Sequence, residues 1–183
     1  MLISNLMKSA VFFTTAVVST FTFAQTMTRT EHSAAKTVIK ADYKIDKAAC
    51  SSAVANAKDI CQEQAKGKEN VALAELEFKR SNTISDSNKV AVAIANSTYK
   101  VAKEMCDDKT GEAKTLCKTE AKSAQTKALA ESRMNKTIGE AKVDEKQDIS
   151  TADYKVALEK CEVLGSDAKT ACIASAKTKY NKN

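Results

Sequence analysis

The sequence predicts an all-α fold of three tandem helical hairpins, each about 55 residues long and each closed by one local disulfide. Three observations lead there. The 183-residue chain has no Pro and only four Gly, which argues against a turn-rich β-sandwich or a loop-built active site. Ala, Lys, Glu and Gln are abundant, and these residues lose little freedom in a helix. One motif with two cysteines also recurs three times, and internal repeats of this length are the signature of arrayed helical units.

The motif reads Y-K-(I/V)-x4-C-x6-A-K-x2-C-x3-A-K and repeats every 55 or 56 residues. Its first copy runs from Tyr43 through Cys50 and Cys61 to Ala65-Lys66. The second runs from Tyr99 through Cys106 and Cys117 to Ala121-Lys122, and the third from Tyr154 through Cys161 and Cys172 to Ala176-Lys177. Helical spacers join the copies. In Gln62–Arg80, Val71, Ala74 and Phe78 share a stripe; in Lys118–Met134, Ala121, Ala124, Ala128 and Leu129 do. Ser81–Asn88 reads as a helix break with Ser, Thr and Asp available as caps. A second break is expected within Asn135–Thr151, which contains Gly139 and a charged stretch. The resulting units are 25–80, 81–134 and 135–183.

The first 24 residues belong to targeting. Met1–Lys8 carries one positive charge, Ser9–Phe23 is an uncharged apolar run, and Thr22-Phe23-Ala24 places small residues at −3 and −1 of a cleavage site before Gln25. The apolar run falls short of the roughly 20 residues needed to span a bilayer, so a signal peptide is expected and no transmembrane segment after its cleavage. The mature chain keeps Phe78 and four Tyr as its only aromatics. So few large apolar groups predict extended helices over a thin core, since burial is the main term opposing chain entropy.

Six cysteines behind a signal peptide point to disulfides, because the destination is oxidising. On one continuous helix, cysteines 11 residues apart would stand about 16 Å apart, far beyond the reach of a disulfide. A bridge within a unit therefore requires the chain to turn back. Asp107-Asp108-Lys109-Thr110-Gly111 and Glu162–Asp167 permit this, since Gly111 and Gly165 can end a helix. The first corner, Ser51–Asn56, has no glycine. The expected pairs are Cys50–Cys61, Cys106–Cys117 and Cys161–Cys172. The alternative is a straight helix whose cysteine pairs bridge between units or chains.

The remaining chemistry is sparse. His32 is the only imidazole, so no His-based triad or two-His metal site can form. The cysteine spacing is neither that of zinc knuckles nor that of C-x-x-C redox motifs. No catalytic residue, cofactor or metal ligand is therefore assigned. Tyr43, Tyr99 and Tyr154, each two turns before a cysteine, are expected to pack over the disulfides. The net charge of +6 comes from Lys interleaved with Glu and Asp, with only Arg29, Arg80 and Arg133 besides. That is the pattern of a solvated helix face and does not indicate specific nucleic-acid recognition.

The repeated motif, together with Ala65-Lys66-Gly67-Lys68-Glu69-Asn70-Val71-Ala72-Leu73-Ala74-Glu75-Leu76-Glu77, resembles a group of small exported Ala/Lys-rich proteins of proteobacteria, some labelled TolA-like cell-envelope biogenesis proteins. The resemblance covers nearly the whole mature chain. It implies a Gram-negative periplasmic setting and a helical repeat fold, and carries no catalytic or binding site across. The expected function is a non-enzymatic structural or interaction module of the envelope, facing an envelope protein, peptidoglycan or an anionic lipid surface. Its expected location is periplasmic, with secretion as the alternative. The second functional reading is periplasmic sequestration of a polyanion or a metal ion.

Overall fold

The computed structural model describes residues 27–182, so the signal-peptide expectation for residues 1–24 lies outside the described residues. Among these residues the fold is all-helical, with no strand. Five helices follow in order: α1 (Arg29–Ala49), α2 (Ala55–Ser81), α3 (Ile84–Met105), α4 (Gly111–Glu162) and α5 (Ser166–Lys179). None of them is long and apolar enough to cross a membrane.

The helix ends are set by local chemistry. Thr28 and Glu31 form a reciprocal capping box at the start of α1. Asn82 ends α2 in the left-handed conformation at φ 50°, which Asn tolerates better than most residues. Thr83 then caps α3, its hydroxyl accepting from the Asp86 amide at 3.1 Å. The break expected in Ser81–Asn88 is therefore found at its first residues.

The second expected break is absent. α4 runs unbroken through Asn135–Thr151 for 52 residues, about 78 Å at 1.5 Å per residue. Gly139 does not end the helix. A Cβ there would stand 3.2 Å from the Ile84 side chain, so the glycine makes room for the start of α3. The Ala-, Lys- and Glu-containing stretch beyond it has no Pro to stop the helix.

Substantial packing links only chain neighbours: α1 with α2, α2 with α3, α3 with the first part of α4, and α4 with α5. A helix in such a row has neighbours on two sides and solvent on the others. The buried set among the described residues is correspondingly small: Cys50, Ala65, Leu76, Ala95, Cys106, Ser132, Cys161 and Ala176, with Gly67. Small residues let the axes approach closely. At Gly67 an added Cβ would lie 3.0 Å from the Cβ of Ser97 in α3. Ser132 of α4 donates to the side-chain oxygen of Asn88 in α3. At the far end of the row His32 pairs with Glu77 at 2.8 Å, holding α1 to α2.

The α1–α2 and α3–α4 corners share a backbone path. A short 3-10 turn starts at the first cysteine, whose carbonyl accepts from Ala53 in one corner and Lys109 in the other. Two extended residues follow, then one with positive φ: Ala55 at 48° and Gly111 at 55°. An L-residue in this region is strained by about 1–2 kcal/mol, whereas glycine is not. Ala55→Gly is expected to raise stability by roughly 0.5–1 kcal/mol and Gly111→Ala to lower it by about 1 kcal/mol, read as opposite shifts in thermal midpoint. The α4–α5 corner is built differently, with Gly165 at φ −65° preceding α5.

Candidate functional site

The three corners place all six cysteines in disulfides: Cys50–Cys61, Cys106–Cys117 and Cys161–Cys172, each with a Cα separation of 5.6 Å. That spacing is ordinary for an unstrained bridge. In every case the first cysteine lies at the end of one helix and the second is the seventh residue of the next. Cys50, Cys106 and Cys161 are essentially inaccessible, at 1 %, 1 % and 0 % exposure. No thiol remains free.

The tyrosines line the seams between helices. Tyr43 is half-buried in the α1–α2 groove beside Ala65 and Ala72, with the Lys47 ammonium 5.9 Å from its ring centroid. Tyr99 is half-buried in the α3–α4 groove beside Ala121, with Lys122 at 5.2 Å. Such contacts hold a lysine stem along an aromatic face. Tyr154 packs against Tyr180, ring centroids 6.0 Å apart and tilted by 58°. The structure thus places the three motif tyrosines at three separate seams and brings none of them together.

Between α1, α2 and α3 lies an open, largely apolar groove of about 800 Å³. Ala49, Val71, Val101, Ala102 and Met105 form its walls, and Asp46, Lys68 and Glu75 stand among the lining residues. Sequence reasoning missed this groove because it depends on the Gly67–Ser97 approach, which sets α2 and α3 close together. It also missed Asn56, which donates at 2.7 Å to the Glu104 carbonyl and ties the first corner to the end of α3. No periodicity marks such a cross-helix bond.

Electrostatics are local. Asp107, at the second corner, accepts from Lys114 and Lys118 at 2.8 Å each, and these two hydrogen bonds hold its carboxyl down to about 2. Asp86 is held down to about 2 by Lys89 first, then by the Ser81 and Thr83 hydroxyls. Both folded-state values lie below the ordinary 3.8, so the stability these groups add is present above that value and is lost as the pH falls towards 2. The thermal midpoint is expected to fall in that window, and to fall less steeply in Asp107→Asn. Midpoints recorded across the acid range check this.

No protein family, curated protein or solved structure matches the chain. Its function has to be argued from the geometry. Among the described residues no group of three or more His, Cys, Asp or Glu is placed to hold a metal ion. What the arrangement does offer is surface: a stapled row of helices whose seams and faces stay open to solvent.

Proposed function

We propose that the chain is an exported, non-enzymatic helical repeat protein acting as a structural or interaction module of a Gram-negative cell envelope, most plainly towards a protein partner. In this reading its architecture is three tandem hairpin units (25–80, 81–134 and 135–183), the second and third of which share the continuous helix α4. The observation that carries this reading is the open row itself. Large apolar side chains such as Ile45, Met105 and Leu116 stay more than half exposed along an array rigidified at its corners by disulfides. Three disulfides are compatible with an oxidising compartment outside the cytoplasm. Interleaved charge favours a protein partner over a polyanion: at the second corner, for example, Asp107 pairs with both Lys114 and Lys118 and offsets one of their two charges.

The test combines location with consequence. The protein is expected in the osmotic-shock fraction, and cells lacking it are expected to leak periplasmic enzymes or become sensitive to detergent. Recovery in the cytoplasm, or an unaltered envelope, would contradict the reading. Salt-reversible sedimentation with anionic vesicles would move the function to polyanion sequestration.

A further inference from the structure

The packing stripe of α4 outlasts its partner. Upstream, Ala121, Ala128 and Asn135, spaced by seven, line the groove shared with α3, as do Ala124 and Glu131 between them. α3 begins at Ile84, which lies over Gly139. Beyond that point the same three-four register continues, with Ile138, Ile149, Ala152, Val156 and Val163 as its five apolar members and Lys142, Glu145 and Glu159 at the positions between them. All five apolar members are exposed; Ile149 and Val156 are 54 % and 53 % accessible, and Val163 at the helix end is 85 %. Residues 140–149 are exposed without exception. α5 covers the other side of the helix, at Tyr154 and Cys161.

We propose that this stripe is a homodimer interface, pairing antiparallel with the same stripe of a second copy about a twofold axis between Ser150 and Thr151. The flanking charges choose the occupant. In this register Lys146 meets the second copy's Asp153, and Asp148 meets its Lys155; symmetry repeats both pairs. Within the stripe Ile149 faces Ala152, Val163 faces Ile138 and Lys142 faces Glu159. Only the Glu145–Val156 layer is mismatched. Sliding one heptad in one direction sets Asp148 against Asp148 and Lys146 against Lys146. Sliding the other way opposes Lys155 to Lys155 and Asp153 to Asp153. A parallel pair sets Asp148 against Asp153 and Lys155 against Lys160. A slide of two heptads restores opposite charges but overlaps only the last turns of α4. Self-pairing along the full uncovered length is thus specified by sign as well as by apolar spacing.

Sedimentation equilibrium of the purified, disulfide-intact protein tests this. A monomer–dimer equilibrium is expected at low salt, weakened near 1 M salt, where the screening length is about 3 Å. Lys155→Asp turns two symmetric attractions into repulsions and is expected to weaken the dimer by about tenfold. The double variant Asp148→Lys/Lys155→Asp restores both pairs and is expected to dimerise like the parent, which separates pairing from any loss of folding. A monomer at every concentration in low salt would overturn the proposal. So would a dimer indifferent to Lys155→Asp, or a double variant that fails to recover.

Discussion

Leu76→Ala is expected to destabilise the protein by about 2–4 kcal/mol, the largest effect of any single aliphatic truncation among the described residues. Leu76 is 6 % exposed, and the rest of the buried set is cysteine, alanine, glycine and serine. In a domain with a thick core, one leucine is one contributor among many. Here α2 lies between α1 and α3 in a single row, and among the described residues Leu76 is the one large aliphatic side chain fully buried there, with Val71, Leu73, Val90 and Val92 half-buried. For a chain of this size the loss corresponds to a fall of about 5–15 °C in thermal midpoint. Val38→Ala is the control: Val38 is 58 % exposed, and its truncation is expected to shift stability by no more than about 0.5 kcal/mol. Circular-dichroism melts of both variants make the comparison. Equal shifts would mean that the row is held by something other than its seams.

Breaking the disulfides is expected to do more. Each closes a loop with a sequence separation of 11, for which constraint of the unfolded chain contributes about 2–3 kcal/mol. The three corners share no residues, so their contributions add to roughly 6–9 kcal/mol, comparable with the whole stability of an ordinary domain. The reduced protein is therefore expected to lose its cooperative melt. The double variant Cys106→Ser/Cys117→Ser is expected to lower the midpoint by about 5–12 °C. It removes the staple at the turn between α3 and α4 while leaving the corner backbone and Gly111 in place. A reduced protein that melted as cooperatively as the oxidised one would show that packing alone holds the row.

The corners were legible in the sequence because the constraint on them is covalent and short-ranged. Cysteines 11 residues apart cannot bridge along one helix, so a bridge within a unit requires the chain to reverse, and the three pairs found are such bridges. The stop after Ser81 was legible for a similar reason: Asn82, Thr83 and Asp86 are the residue types that end one helix and begin another. Gly139 was misread because glycine has two uses. One is to stop a helix; the other is to admit a neighbour, and only Ile84, 55 positions earlier in the chain, decides which. Gly67 facing Ser97 has the second use. The first corner needed no glycine because Ala55 accepts the positive φ that Gly111 takes in the second. The open groove over α1, α2 and α3 was not legible, since it follows from which helices pack side by side rather than from the pattern within any one of them.

The chemically distinctive side chains are engaged with one another. His32 is engaged with Glu77 at the end of α1, Asp107 with two lysines, and all six cysteines with one another. The titratable groups that stand out physically each have a structural partner that accounts for them. The exposed seams and the uncovered half of α4 are the features that packing within this chain does not absorb.

The most direct test of a row of locally stapled hairpins is peptide mapping, without reduction, of the protein recovered from cells. The structure predicts linked peptides joining Cys50 to Cys61, Cys106 to Cys117 and Cys161 to Cys172. Free thiols, or bridges running between hairpins or between chains, would contradict it.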